Sequence, residues 1–190
     1  MTVMQNLRDM MAERGTLHMA LIDPDKQSPE KAAEIAKKML AAGSDAVLIG
    51  GSTGVTAENL SATAKAIKEA TGLMVILFPG SAEALSTDID ALLYMSMLNS
   101  TDLRFVIGAQ VYAAPIVKKL GIETIPMGYV IVEPGMKVGE VGKAVPVKKD
   151  DLKTAVAYAL TTQMLGMDLV YFEAGSGADT PVSPDMIRAV

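Results

Sequence analysis

Hydrophobic and polar positions come in alternating blocks along this chain, and the blocks repeat. Residues 2–14 carry an amphipathic helical pattern closed by Gly15. The apolar run 17–22 (LHMALI) has the length of a buried strand and stops at the polar turn Asp23-Pro24-Asp25-Lys26. Ser28-Pro29-Glu30 then offers an N-cap, a first-turn proline and an early acid, which predicts a helix running to about residue 42 before Gly43. The cycle recurs with a strand at 46–50 leading into Gly51-Ser52-Thr53, a helix over about 57–70 and a stop at Gly72. A third strand at 73–78 ends in Pro79-Gly80-Ser81. The fourth, at 89–95, ends near Asn99-Ser100 and precedes a helix over 103–120. The fifth spans 124–132, is interrupted early by Pro126, and meets Glu133-Pro134-Gly135. A loop bearing Lys137, Lys143, Pro146 and Lys148 leads to a helix at 151–165 and a sixth strand at 168–172.

Strands that are apolar on both faces and alternate with helices belong to a parallel sheet. Six such units in 190 residues is about one per 30 residues, the pace of a (β/α)8 barrel or a doubly wound sheet. The first strand is not followed by GxGxxG, and GxxxxGK[ST] is absent, so the usual nucleotide-binding sheets lack their fingerprints. Gly, Ser, Asp, Glu and Asn gather after each strand, at what is the active-site end of a barrel. The expected fold is therefore a single TIM-type (β/α)8 barrel domain over residues 1–190. Barrels of this kind run to about 250 residues, so two further units are expected beyond the helix started by PDMIRAV. The expectation is a barrel incomplete at its C-terminus, with an open sheet as the alternative.

Composition narrows the chemistry. Half of the residues are hydrophobic, enough for a sizeable core, and the net charge of −5 without a basic run argues against nucleic acid as a partner. Cysteine is absent, which excludes disulfides, thiolate metal sites and thiol catalysis. A single histidine, His18, excludes a multi-histidine metal site. No apolar run approaches the roughly 20 residues of a membrane span, and the N-terminal pattern is not that of a signal peptide; a soluble cytoplasmic protein is expected. The 14 methionines fill irregular core gaps or line an adaptable apolar groove; composition does not separate the two.

The richest stretch is LVYFEAGSGA, residues 169–178. A strand delivers Glu173 to the threshold of Gly175-Ser176-Gly177, where glycines let backbone N–H groups come close to an anion. That arrangement suits a phosphate in the turn with proton chemistry beside it, or an ordinary loop with a solvated glutamate. Asp88 and Asp90 look like a paired-carboxylate metal motif, but they precede their strand, which favours a solvated turn on the opposite face.

Seven segments in order, LIDPDK (21–26), IGGST (49–53), LFPG (77–80), LNS (98–100), IGAQ (107–110), PMGYVIVEPG (126–135) and YFEAGSGA (171–178), together resemble the geranylgeranylglyceryl-phosphate synthases and their bacterial heptaprenyl relatives. None is specific alone; the ordered set is. The resemblance implies a (β/α)8 barrel that alkylates the C3 hydroxyl of sn-glycerol 1-phosphate with a prenyl diphosphate, most readily geranylgeranyl diphosphate, in ether-lipid synthesis. It implies Mg²⁺ on the diphosphate, held by Asp23 and Ser52, and a homo-oligomer, dimer or hexamer. It places glycerol phosphate on Tyr171, Phe172, Glu173, Ala174, Gly175, Ser176 and Gly177, with Glu173 and Tyr171 as the catalytic pair. Two Gly-containing phosphate loops of the family have no counterpart in these residues, and Leu21 stands where one branch carries lysine.

These residue types fit the chemistry. A hard cation on oxygen ligands drains charge from a diphosphate leaving group, and one carboxylate such as Asp23 suffices as its anchor. Asp23 also suits a simple Asp-Pro turn. Glu173 can take the hydroxyl proton or merely orient the hydroxyl. Tyr171 falls on the face of Glu173, where it contacts phosphate or packs the barrel. Phe78, Met95, Met97, Phe105 and Tyr112 are candidates for walls of a prenyl groove, each equally at home in a core. Two other readings stand beside this one: another phosphate-binding barrel of the isomerase or aldolase kind, and a non-catalytic barrel fragment.

Overall fold

The structure is a computed structural model that describes residues 1–51 and 54–190. Its strands are β1 (Met19–Ile22), β2 (Ala46–Gly50), β3 (Met74–Phe78), β4 (Ala91–Met97), β5 (Thr124–Ile131) and β6 (Leu169–Glu173). They are hydrogen-bonded in chain order in one sheet, and the registers of β1 with β2, β2 with β3, β3 with β4 and β5 with β6 are all parallel. A doubly wound sheet reverses its strand order at a switch point. An unbroken chain order is that of the barrel type. The helices are α1 (Val3–Arg14), α2 (Pro29–Ala41), α3 (Ala57–Thr71), α4 (Ala109–Leu120), α5 (Met136–Val141), α6 (Leu152–Met164) and α7 (Pro184–Ala189). Among them no helix is long and apolar enough to cross a membrane.

The chain forms two compact units, residues 1–93 with 112–124 and residues 94–111 with 125–190. In the first, Val47, Ile49, Leu60, Ile67, Val75, Ile76 and Leu77 are fully buried, and α2 lies close against α3. Ala32 and Ala36 are the fully buried positions of α2, small enough for close helix packing. Helix starts follow their sequence signals: Ser28 caps α2, and Thr56 with Asn59 forms a capping box on α3. Glu123 closes on the start of α1, accepting Val3 N at 2.8 Å and Met4 N at 3.0 Å, where a helix presents unpaired N–H groups and positive dipole.

In the second unit Val130, Val132, Val147, Ala155 and Met186 form the core. A side chain at Gly128 of β5 would run into Thr162 of α6, so glycine is what lets that helix approach the strand. Asn99 is buried and fully used: its amide donates to Ile131 O (2.8 Å) and Val145 O (2.9 Å) and accepts from Ile131 N (3.1 Å).

Five expectations need correction. Pro126 does not interrupt β5; register with β6 begins one residue later at Met127, so the missing N–H removes no rung of that ladder. β4 starts at Ala91, later than the pattern suggests, because Asp90 turns back to accept Val75 N at 2.8 Å. The long helix expected over 103–120 opens with a wider π turn over Arg104–Gly108 before α4. The loop expected after β5 contains α5, six residues from Met136 behind Gly135, which provides no side-chain cap. Asp88 and Asp90 are not merely solvated: Ser61 and Lys65 hold Asp88, and Lys68 pairs with Asp90 at 2.5 Å.

Candidate active site

The β5–β6 register sets Tyr129 beside Tyr171 and Ile131 beside Glu173. Because side chains alternate along a strand, Tyr171 and Glu173 share one face, and Tyr129 joins them from the neighbouring strand. The two tyrosine rings stack with centroids 5.4 Å apart and planes 26° from parallel. The Tyr129 hydroxyl donates a hydrogen bond to Glu173 Oε2. Oε1 of Glu173 has no hydrogen-bond partner among the described residues. Burial, then the charge of Glu173, then this hydrogen bond push the Tyr129 phenol far above its ordinary range. Burial and the Glu173 charge raise Tyr171 as well. Both phenols therefore stay protonated at neutral pH and act as donors.

Phe172 faces the other way and packs on the core of Val130, Val132 and Met186, so its contribution to the segment is backbone and rigidity. Ala174 is buried, and its carbonyl accepts Gly135 N at 2.9 Å. Gly175, with φ at 98°, lies so close to the preceding loop that a Cβ would meet Met136 Cβ at 2.6 Å and Gly135 O at 2.8 Å. Glycine there answers a close backbone approach, not an anion. Gly177 differs: its φ is 82°, and a Cβ would meet nothing within 4 Å. The turn closes through Ala178 N to Gly175 O at 3.1 Å. The N–H groups of Ser176 and Gly177 have no acceptor among the described residues, and both residues are exposed. Two open donors beside an unobstructed glycine are what an anion-binding turn presents.

In the first unit, Asp23 follows β1 and receives Lys26 Nζ on Oδ2, while its carbonyl accepts Lys26 N at 3.2 Å and the Gln27 amide. Ser52 lies outside the described residues. Gly54, at φ 73°, leaves room for Asp25, whose Oδ2 would stand 3.1 Å from a Cβ there. The ends of β2 and β3 border a cavity of about 110 Å³ lined by Gly50, Gly51, Phe78, Pro79, Gly80 and Ser81. A larger cavity of about 310 Å³ touches Lys68 and Asp90 at the opposite ends of the strands, where those two charges already satisfy each other. Of the groove candidates, Met97 is buried against Gly142 and belongs to the core, Phe78 borders the smaller cavity, and Tyr112 is exposed.

The residues suit a magnesium ion in a limited sense. Among the described residues no three His, Asp or Glu side chains converge, so the protein builds no cage of its own. Mg²⁺ is commonly held by one or two carboxylates with phosphate oxygens and water completing its shell. Asp23 meets that need, and its carboxylate already faces a cation, the ammonium of Lys26 on a largely exposed stem.

The PcrB family model matches residues 8–190. The chain belongs to the PcrB family. It is 55% identical to the geranylgeranylglyceryl phosphate synthase of Methanosphaera stadtmanae over 176 residues, 92% of this chain and 71% of that one. The synthase of the same name from Methanococcoides burtonii is 50% identical over 190 residues, covering this chain fully and 77% of its own length. Among solved structures, (S)-3-O-geranylgeranylglyceryl phosphate synthase from Thermoplasma acidophilum, in complex with its substrate sn-glycerol-1-phosphate, superposes with a TM-score of 0.94. It is 44% identical, and the match covers all of this chain and 76% of that one.

Within this PcrB-family chain, the residue that reading the sequence missed is Tyr129. It lies in the quoted segment PMGYVIVEPG, but only the β5–β6 register reveals that it meets Tyr171 and Glu173. Asn99 of LNS likewise links β4 to β5 and the 145 segment, a role that its local sequence does not signal.

Proposed function

We propose that this protein is a prenyltransferase that joins the C3 hydroxyl of sn-glycerol 1-phosphate to C1 of a prenyl diphosphate, geranylgeranyl diphosphate being the expected donor. The observation that carries the reading is the group of Glu173, Tyr129 and Tyr171 next to the open N–H groups of Ser176 and Gly177. The turn receives the phosphate of the acceptor, and Glu173 Oε1 receives its hydroxyl. As the hydroxyl oxygen bonds to the allylic carbon, that carbon's bond to the diphosphate oxygen breaks and its electrons leave with the diphosphate. The hydroxyl proton passes to Glu173. A general base so placed contributes about 10²–10⁴-fold, and the rest comes from orientation and charge stabilisation. Tyr171, protonated and partly exposed, serves as a donor toward the acceptor phosphate.

Asp23 and Ser52 are the residues that would hold a magnesium ion, which when bound offsets the negative charge developing on the diphosphate. Lys26 would leave Asp23 Oδ2 for this and turn to the diphosphate instead. The test is diphosphate release from geranylgeranyl diphosphate in the presence of Mg²⁺, with and without sn-glycerol 1-phosphate. Release that depends on the acceptor supports the reading. No release, together with turnover of a phosphorylated sugar or ketose, would favour the isomerase or aldolase class. The aldolase alternative is weakened because it often needs a lysine at a strand, and none of the six strands contains one.

A further inference from the structure

We propose that Tyr129 is the positioning residue for Glu173: it holds one carboxylate oxygen so that the other is the one presented to the acceptor hydroxyl. The inference deepens the prenyl-transfer reading and rests on it for its kinetic consequences, though not for the contact itself.

A glutamate at the last residue of a strand has three side-chain torsions and, unaided, sweeps a wide arc. Here one oxygen is anchored from the neighbouring strand. Tyr129 is itself immobile: it is 4% exposed, stacks on Tyr171 and sits on a β5 residue paired directly with Tyr171 in the ladder. The neighbouring turn is pinned as well, by Gly135 N to Ala174 O and by the close approach of Gly135 to Gly175. Base and phosphate turn are therefore held by the same strand pair, one through a side chain and one through backbone.

Direction matters as much as rigidity. A phenol remains a donor only while protonated, and burial with the adjacent Glu173 charge keeps Tyr129 protonated across the working range of pH. Tyr129 is thus no competing base. It engages Oε2 and leaves Oε1, which has no partner among the described residues, as the oxygen for substrate. A hydrogen bond to a charged acceptor is also among the stronger kinds, so the arrangement is held while Glu173 is ionised and ready for the hydroxyl proton.

The experiment compares wild type, Tyr129→Phe, Glu173→Gln and the double variant. Tyr129→Phe should lower kcat about 10-fold or more with the KM for sn-glycerol 1-phosphate changed by less than about threefold, since orientation is lost and the phosphate turn is not. In the Glu173→Gln background the same change should cost nothing further, because residues that act through one another are not additive. Equal losses in both backgrounds, or an unchanged kcat in Tyr129→Phe, would overturn the proposal. A second readout needs no turnover and remains decisive if Tyr129→Phe folds poorly. In alkaline titration followed by phenolate absorbance, carried out with Tyr171→Phe in both proteins so that the response of Tyr171 to the Glu173 charge is removed, Glu173→Gln should bring one tyrosine into ionisation at lower pH than with Glu173 present. Identical titration curves would overturn the Tyr129–Glu173 contact. A wild type without acceptor-dependent release would instead refute the prenyl-transfer reading, and the titration would still decide the contact.

Discussion

Asp23 and Glu173 look alike in sequence, each an acid where an apolar strand gives way to a turn, and the fold holds them in opposite ways. Asp23 is engaged by Lys26 and Gln27, partners three and four residues along the same turn. Glu173 is engaged by Tyr129, 44 residues away. A contact made within one turn forms with the turn and yields to a competing ligand, since the Lys26 ammonium reaches Asp23 on a flexible, largely exposed stem. A contact made across a ladder exists only when the sheet is formed, and it is as rigid as the sheet. The first suits the role proposed for Asp23, a carboxylate that would exchange an ammonium for a metal ion. The second suits a base that must not move.

Glu173→Gln probes the rigid side most strongly. Glutamine keeps the shape and loses the basic oxygen, so turnover should fall about 10²–10⁴-fold, roughly 3–5 kcal/mol of barrier, with acceptor affinity little changed. Single-turnover rates beside calorimetric binding of sn-glycerol 1-phosphate provide the check. Near-normal turnover would remove Glu173 as base.

Gly175 and Gly177 sharpen the contrast between a packed and an open part of the same turn. Gly175→Ala meets backbone at Gly135 as well as an unfavourable φ, and should cost about 3 kcal/mol in denaturant unfolding. Gly177→Ala meets only the φ, and should cost about 1 kcal/mol. Equal losses would mean that the loop over Gly175 does not pack as described.

What could be read in the sequence follows the same division. The Ser28 cap, the strand at 46–50 and the helix starting at Pro29 are written in adjacent residues, and the fold agrees with them. The parallel sheet followed from the strand–helix alternation, and its barrel-type chain order from the missing nucleotide-binding fingerprints and the polar residues after each strand. Features that depend on register were not legible: Tyr129 beside Tyr171, Gly175 against Gly135, and Asn99 between β4 and β5. α5 escaped because six residues with an internal glycine and no side-chain cap carry almost no local signal. Pro126 misled for the converse reason: a local rule against proline in strands is overridden when the ladder begins beyond it.

Asp23→Asn tests the exchangeable side. It removes the charge that both Lys26 and a magnesium ion would use, and should weaken Mg²⁺-dependent binding of prenyl diphosphate about 10-fold. Binding isotherms with and without the metal make the comparison. An unchanged metal requirement would end the assignment of Asp23.

The smallest effect concerns a third acid, Asp102, which combines both kinds of contact. Its carboxylate takes Arg104 Nη2 at 2.7 Å within its own turn and Lys143 Nζ at 3.0 Å from 41 residues away. Hydrogen bonds from the Arg104 side chain and backbone, then from Lys143, hold it far below the usual carboxylate range. A carboxyl depressed in the folded state stabilises the fold fully above its unfolded value, about 3.9, and loses that contribution as pH falls below it. Melting temperatures of wild type should therefore drop between pH 5 and pH 2 more steeply than those of Asp102→Asn, with the variant less stable near neutrality and the two curves converging in acid. If the long-range bond to Lys143 matters beyond the local pair, Lys143→Ala should remove part of that extra slope. Parallel curves for all three proteins would show that Arg104 and Lys143, both mostly exposed, are held too loosely for the cluster to contribute.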